Sequence, residues 1–115
     1  MIKGMHAMLY SSHADELRAF LRDTLDLTGT DAGEGWLIFD PPAADLGVHP
    51  TDGDVPSGTA DVSFWCDDIE KTVADLRERG VVFTRGVEDH GYGLVTYFEV
   101  PGGFEVQLYE PKYPK

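Results

Sequence analysis

Apolar and polar positions alternate over Lys3 to Ser11 (KGMHAMLYS), with His6, Met8 and Tyr10 on one side and Ala7 and Leu9 on the other. That period of two predicts a half-buried strand. Ser12, followed three residues on by Asp15, supplies a helix start. Leu17, Phe20, Leu21 and Leu25 then recur at helical spacing and predict a helix over about 13–25. Gly29 to Gly35 reads as a turn, and Trp36 to Phe39 reads as a strand. Pro41 and Pro42 stop that strand because neither can donate a ladder hydrogen bond. Asp45 to His49 is a further strand, with Leu46 and Val48 opposite Asp45, Gly47 and His49. The polar segment from Pro50 to Gly58, rich in Pro and Gly, reads as a linker.

The same order then repeats. Asp61 to Cys66 (DVSFWC) alternates, Val62 and Phe64 lying opposite Asp61, Ser63 and Trp65. Asp67 is placed to cap a second helix, with Glu70 three residues on. Ile69, Val73 and Leu76 form its apolar stripe, and Gly80 ends it. Val81 to Thr84, Leu94 to Val100 and Phe104 to Tyr109 predict three more strands, the last two joined by the tight turn Pro101-Gly102-Gly103. The chain therefore reads as two tandem βαβββ modules of α+β class: module one over about 1–50, a linker over about 51–58, and module two over about 59–115.

Composition narrows the classes without changing that picture. At 115 residues the chain suits one domain around one core. Apolar residues at 42% and charged residues at 26% exclude collagen-like and disordered readings. Apolar runs are too short to span a bilayer, and the start lacks the apolar core of a signal peptide, so a cytoplasmic protein without membrane partners is expected. Cys66 is the only cysteine, which excludes an intrachain disulfide and a multi-cysteine zinc site. Nine basic against twenty-one acidic side chains give a net charge of −12. That charge repels nucleic acid and favours neutral or cationic ligands.

Two such modules in tandem resemble the vicinal oxygen chelate superfamily, which includes glyoxalases, bleomycin resistance proteins and extradiol dioxygenases. The resemblance implies a cupped mixed sheet with helices on its convex side and a shared concave face for ligands. Ala7, Leu9, Leu46, Val48, Val62, Phe64, Val106 and Leu108 then face the helices, whereas Tyr10, His49, Ser63, Trp65, Glu105 and Tyr109 line the cup as ligand-binding positions. Metal-dependent members carry ligands on the first and last strands of each module, and the matching positions here are His6, Asp45, Asp61 and Gln107. Aspartate and glutamine at those places depart from the histidine and glutamate common in the family, and oxygen donors suit hard cations better than soft ones.

Two readings of function follow. In one, a divalent ion (Mn, Fe, Ni or Zn) at His6 with some of Asp45, Asp61 and Gln107 serves a lyase, isomerase or extradiol-type dioxygenase. In the other, the acidic, aromatic cup binds a small molecule without a metal, as bleomycin resistance proteins do, and the altered ligand set favours this one. Aromatic walls suit planar or cationic ligands. Core packing or a dimer contact is the plainer role for the same rings. The resemblance also implies a homodimer. His90, in a Gly-containing loop, is a further histidine able to act near neutral pH, and a solvated loop position is its ordinary alternative.

Overall fold

The structure is a computed structural model and describes residues 6–41, 43, 44, 48 and 56–113. Two compact units divide the chain, Leu27–Asp61 forming one and the segments on either side of it the other. The smaller unit contains an antiparallel pair, β1 (Gly29–Asp31) and β2 (Leu37–Phe39), in the register Thr30 to Ile38. Part of the stretch read as a turn is thus a strand. Its reversal is confined to Ala32–Trp36, where the Asp31 carboxylate accepts from the Gly33 N–H at 2.8 Å and the Trp36 N–H reaches the Gly33 carbonyl at 3.0 Å. Most of the predicted strand Asp45 to His49 and most of the linker lie outside the described residues. Val48, expected beneath the helices, is 97% exposed.

The larger unit begins differently from the expectation. Among the described residues His6 to Ser11 pair with no other strand, and Ala7, expected under the helices, is exposed. Alternation makes a strand only where a partner ladder takes up its backbone groups. Here Ser11 is held instead by a side-chain bond, its hydroxyl donating to the Pro101 carbonyl at 2.9 Å and accepting from the His13 N–H at 3.0 Å. Helix α1 follows over Ala14–Ala19, with His13 rather than Ser12 in the capping position. It continues as a π-helical turn over Phe20–Thr24, where the Leu25 N–H reaches back five residues to the Phe20 carbonyl at 3.1 Å.

After residue 61 the predicted strand and helix are both present. Strand β3 (Ser63–Trp65) leads into helix α2 (Ile69–Glu78), capped by Asp68 rather than Asp67: its carboxylate accepts from the Lys71 N–H at 3.2 Å. Asp67 lies one residue too early to reach that N–H. The Glu110 carboxylate accepts the Ile69 N–H at 2.9 Å, satisfying a second donor of the first turn. Gly80, at φ +89, lets the chain leave the helix in the left-handed region. Residues 81–84 make one bridge, Phe83 to Phe98, instead of a full strand. Then come β4 (Glu88–Asp89), β5 (Gly93–Val100) and β6 (Phe104–Pro111). The sheet order is β3-β6-β5-β4, with β3 parallel to β6 and the remaining pairs antiparallel.

One face of this sheet is the core. Thr96, Phe98, Val100, Val106 and Leu108 are buried there, and Ile69, Val73 and Leu76 supply the buried stripe of α2. Phe98 is fully buried. Phe20 of the π turn stacks on it with ring centres 6.3 Å apart, and Phe83 meets it edge-on at 5.8 Å. Such pairs add about 0.5–1.5 kcal/mol each to the burial itself. Among the described residues no helix is long and apolar enough to cross a membrane.

Candidate functional site

The register of the β3–β6 and β5–β6 pairings decides what the opposite face carries. Tyr97 faces Gln107, Glu99 faces Glu105, Val95 faces Tyr109, and β3 sets Ser63 beside Gln107 and Trp65 beside Tyr109. At one end this face is aromatic and closed. Tyr109 is 8% exposed, its ring meets Tyr92 edge-on at 6.1 Å, and its hydroxyl lies 2.7 Å from that of Tyr113. Gly93 belongs to this end because a Cβ there would stand 2.7 Å from the Glu110 carbonyl oxygen.

The middle and the far end are polar. The Ser63 hydroxyl donates to Oε1 of Gln107 at 2.8 Å, and Nε2 of Gln107 donates to the Tyr97 hydroxyl oxygen at 3.0 Å. The Arg85 guanidinium lies 4.0 Å above the Tyr97 ring and pairs with the Glu105 carboxylate. Glu105 also accepts from the Thr84 hydroxyl at 2.5 Å. That hydrogen bond, then the positive charge of Arg85, hold the Glu105 carboxyl below the usual glutamate range. Thr96, buried on the core face, donates to the Arg85 carbonyl at 2.8 Å and so fixes the backbone from which the guanidinium extends. Beyond Glu105 a shallow groove of about 370 Å³ is lined by Thr84, Glu99, Val100 and Phe104. Glu99 stands directly opposite Glu105, a like-charge pairing that ordinarily destabilises a sheet. Arg85 offsets it from one side.

The positions expected to bind a ligand fare unequally. Ser63 and Gln107 are joined, and Glu105 is linked to them through Arg85 and Tyr97. Trp65 is half-buried beside Tyr109, which is more deeply buried than a cup-lining residue needs to be. Tyr10 is 88% exposed. His6 and Asp61 are exposed, while Asp45 and His49 lie outside the described residues. Among the described residues no three His, Cys, Asp or Glu side chains group closely enough to hold a metal ion. Gln107 offers a cation only the second lone pair of its carbonyl oxygen, since the first accepts from Ser63 and its amide nitrogen cannot ligate.

His90 lies exposed with Nε2 3.2 Å from the Glu88 carboxylate and its ring against Tyr92. Cys66 is half-buried, and burial pushes its thiol up from the ordinary value, consistent with an unreactive position beneath the sheet edge. Sequence reasoning missed Tyr97, Arg85 and Thr84. The signal for Tyr97 was present. The Pro101-Gly102-Gly103 turn sets Val100 opposite Phe104, and counting equally outward from that pair reaches Tyr97 and Gln107.

Comparison with known proteins agrees with this architecture. A structure of a glyoxalase/bleomycin resistance protein/dioxygenase superfamily member from Sphaerobacter thermophilus is similar at 28% identity and TM-score 0.64, with 95% of this chain and 98% of that one covered. An antibiotic binding protein from a Streptomyces species is similar at 24% identity and TM-score 0.66, covering 97% and 100%. A lactoylglutathione lyase from Agrobacterium tumefaciens shares the fold at 18% identity and TM-score 0.67, covering 94% and 92%. No curated protein sequence matches the chain. The family profile matches residues 5–108, almost the whole length, so the chain belongs to the Glyoxalase/Bleomycin resistance protein/Dioxygenase superfamily.

Proposed function

We propose that this protein binds a small, neutral or cationic organic molecule against the polar and aromatic face of β3, β6 and β5, without a metal of its own. One observation carries the reading: Gln107, the residue in place of a closing metal ligand, is bonded on both sides of its amide, to Ser63 and Tyr97. That arrangement presents hydroxyl groups to a ligand rather than bare donors to a cation. The aromatic end, with Trp65 beside Tyr109, offers stacking surface, and the groove beside Glu99 and Glu105 favours positive charge. A structural relative described as an antibiotic binding protein fits this reading. The same reading includes a cytoplasmic homodimer, to be checked by sedimentation.

Benzyltrimethylammonium, an aromatic cation, is the probe, with binding followed by ligand-observed NMR on protein stripped of metal. Saturable binding that weakens by roughly tenfold in Trp65→Ala is expected, the loss of about 1.4 kcal/mol of stacking and cation–π contact. Stripped protein is then equilibrated with manganese, iron, nickel or zinc. Near-stoichiometric retention that disappears in His6→Ala overturns the metal-free reading in favour of a metal-dependent lyase, isomerase or dioxygenase.

A further inference from the structure

The direction of hydrogen bonding through Gln107 says what chemistry the site displays. Ser63 donates to the carboxamide oxygen, so the carboxamide nitrogen faces Tyr97 and donates to the phenol oxygen. A phenol oxygen that accepts from an amide directs its own proton elsewhere. Among the described residues no acceptor takes that proton. The chain Ser63 to Gln107 to Tyr97 is therefore a row of donors pointing the same way, each bond polarising the next. Its last O–H belongs to a half-buried side chain on the proposed binding face. Arg85, lying 4.0 Å over the ring, adds positive charge on that side and favours an electron-rich partner. Its own guanidinium is anchored by Glu105 and, having no acceptor, cannot take the hydroxyl proton.

We infer that Tyr97 is a ligand-binding residue whose hydroxyl donates to a carbonyl-type oxygen of the bound molecule. The ligand class is thereby narrowed to aromatic or cationic compounds bearing such an oxygen. The inference rests on the binding reading above, and it adds a residue and an atom to it. Ser63 and Gln107 act here as positioning residues, setting the direction of the Tyr97 O–H.

The test compares acetophenone with α-methylstyrene, nearly isosteric aromatic probes that differ in having C=O or C=CH2. Binding to the full chain is measured by ligand-observed NMR for wild type, Tyr97→Phe and Gln107→Glu, with folding of each variant checked by circular dichroism. Wild type is expected to prefer acetophenone by roughly five- to tenfold, one hydrogen bond's worth of affinity. Tyr97→Phe abolishes the preference, acetophenone falling to the affinity of α-methylstyrene for the same variant. Gln107→Glu also abolishes it, because a carboxylate facing Tyr97 would accept the phenol proton and turn it inward. A preference that survives Tyr97→Phe overturns the assignment of Tyr97 while leaving the binding face intact. No binding of either probe at millimolar concentration overturns the binding face, and this inference with it.

Discussion

Glu105 shows how a single side chain on this face links charge to stability. Its folded-state pKa lies below the ordinary 4.5, the Thr84 hydroxyl being the main cause and Arg85 the next. A carboxylate with a depressed folded pKa contributes stability that is fully present above the unfolded value and is lost as pH falls through the folded one. Urea denaturation on the acid side of 4.5 is therefore expected to show wild type losing stability more steeply than Glu105→Gln. Equal slopes would place the Thr84 and Arg85 contacts outside the energetics of folding. Alternation along β6 sets Glu105 on the face opposite the core, and it is exposed there. Its partners come from a segment twenty residues earlier, which no local period reveals.

At the scale of elements, α2 is the best specified piece of the chain. Its stripe, its acidic start and its closing glycine all agree, and only the identity of the cap moved, from Asp67 to Asp68. The N-terminal turn has two carboxylate acceptors, Asp68 for the Lys71 N–H and Glu110 for the Ile69 N–H. Asp68→Ala is expected to cost about 1 kcal/mol in urea denaturation. Glu110→Ala should cost as much or more, because that bond also ties the helix to β6. A double variant matching the sum of the two would show that the caps act separately. The first module was less legible. Period-two alternation in residues 6–11 carried the same signal as β3, yet β3 has β6 to pair with, whereas His6 to Ser11 have no described partner strand. Pattern registers which face a strand would show, and pairing decides whether the strand exists.

Across the whole molecule the dominant quantity is a net charge of −12. Arg18, Arg22, Arg79, Arg85 and Lys112 each already sit beside a carboxylate, so most of the remaining acidity is uncompensated. Exposed pairs of this kind contribute little individually. The larger effect is self-repulsion among the unpaired carboxylates, which added salt screens. Melting temperature is expected to rise by roughly 2–5 °C between low and moderate sodium chloride. A fall would mean that local pairs outweigh the global field. The α+β class and the family were legible at this scale, because element order survives errors in individual boundaries. The Ser63, Gln107 and Tyr97 arrangement was legible only in part, since it depends on the register of three strands together.

The π turn at Phe20–Thr24 has a consequence for relatedness as well as for packing. A turn closed by a bond from Leu25 back to Phe20 spends one more residue per revolution than a regular helix. Relatives whose first helix is regular should therefore be one residue shorter at this point, and a gap placed between Phe20 and Leu25 would keep Leu17 and Phe98 aligned with their counterparts. Removing one residue from the turn would re-index the chain after it by about 100° of helical rotation. Leu25 and the residues after it would then leave in a different direction while Phe20 kept its place against Phe98, so the longer turn governs where the chain exits the helix rather than the aromatic pair at its start.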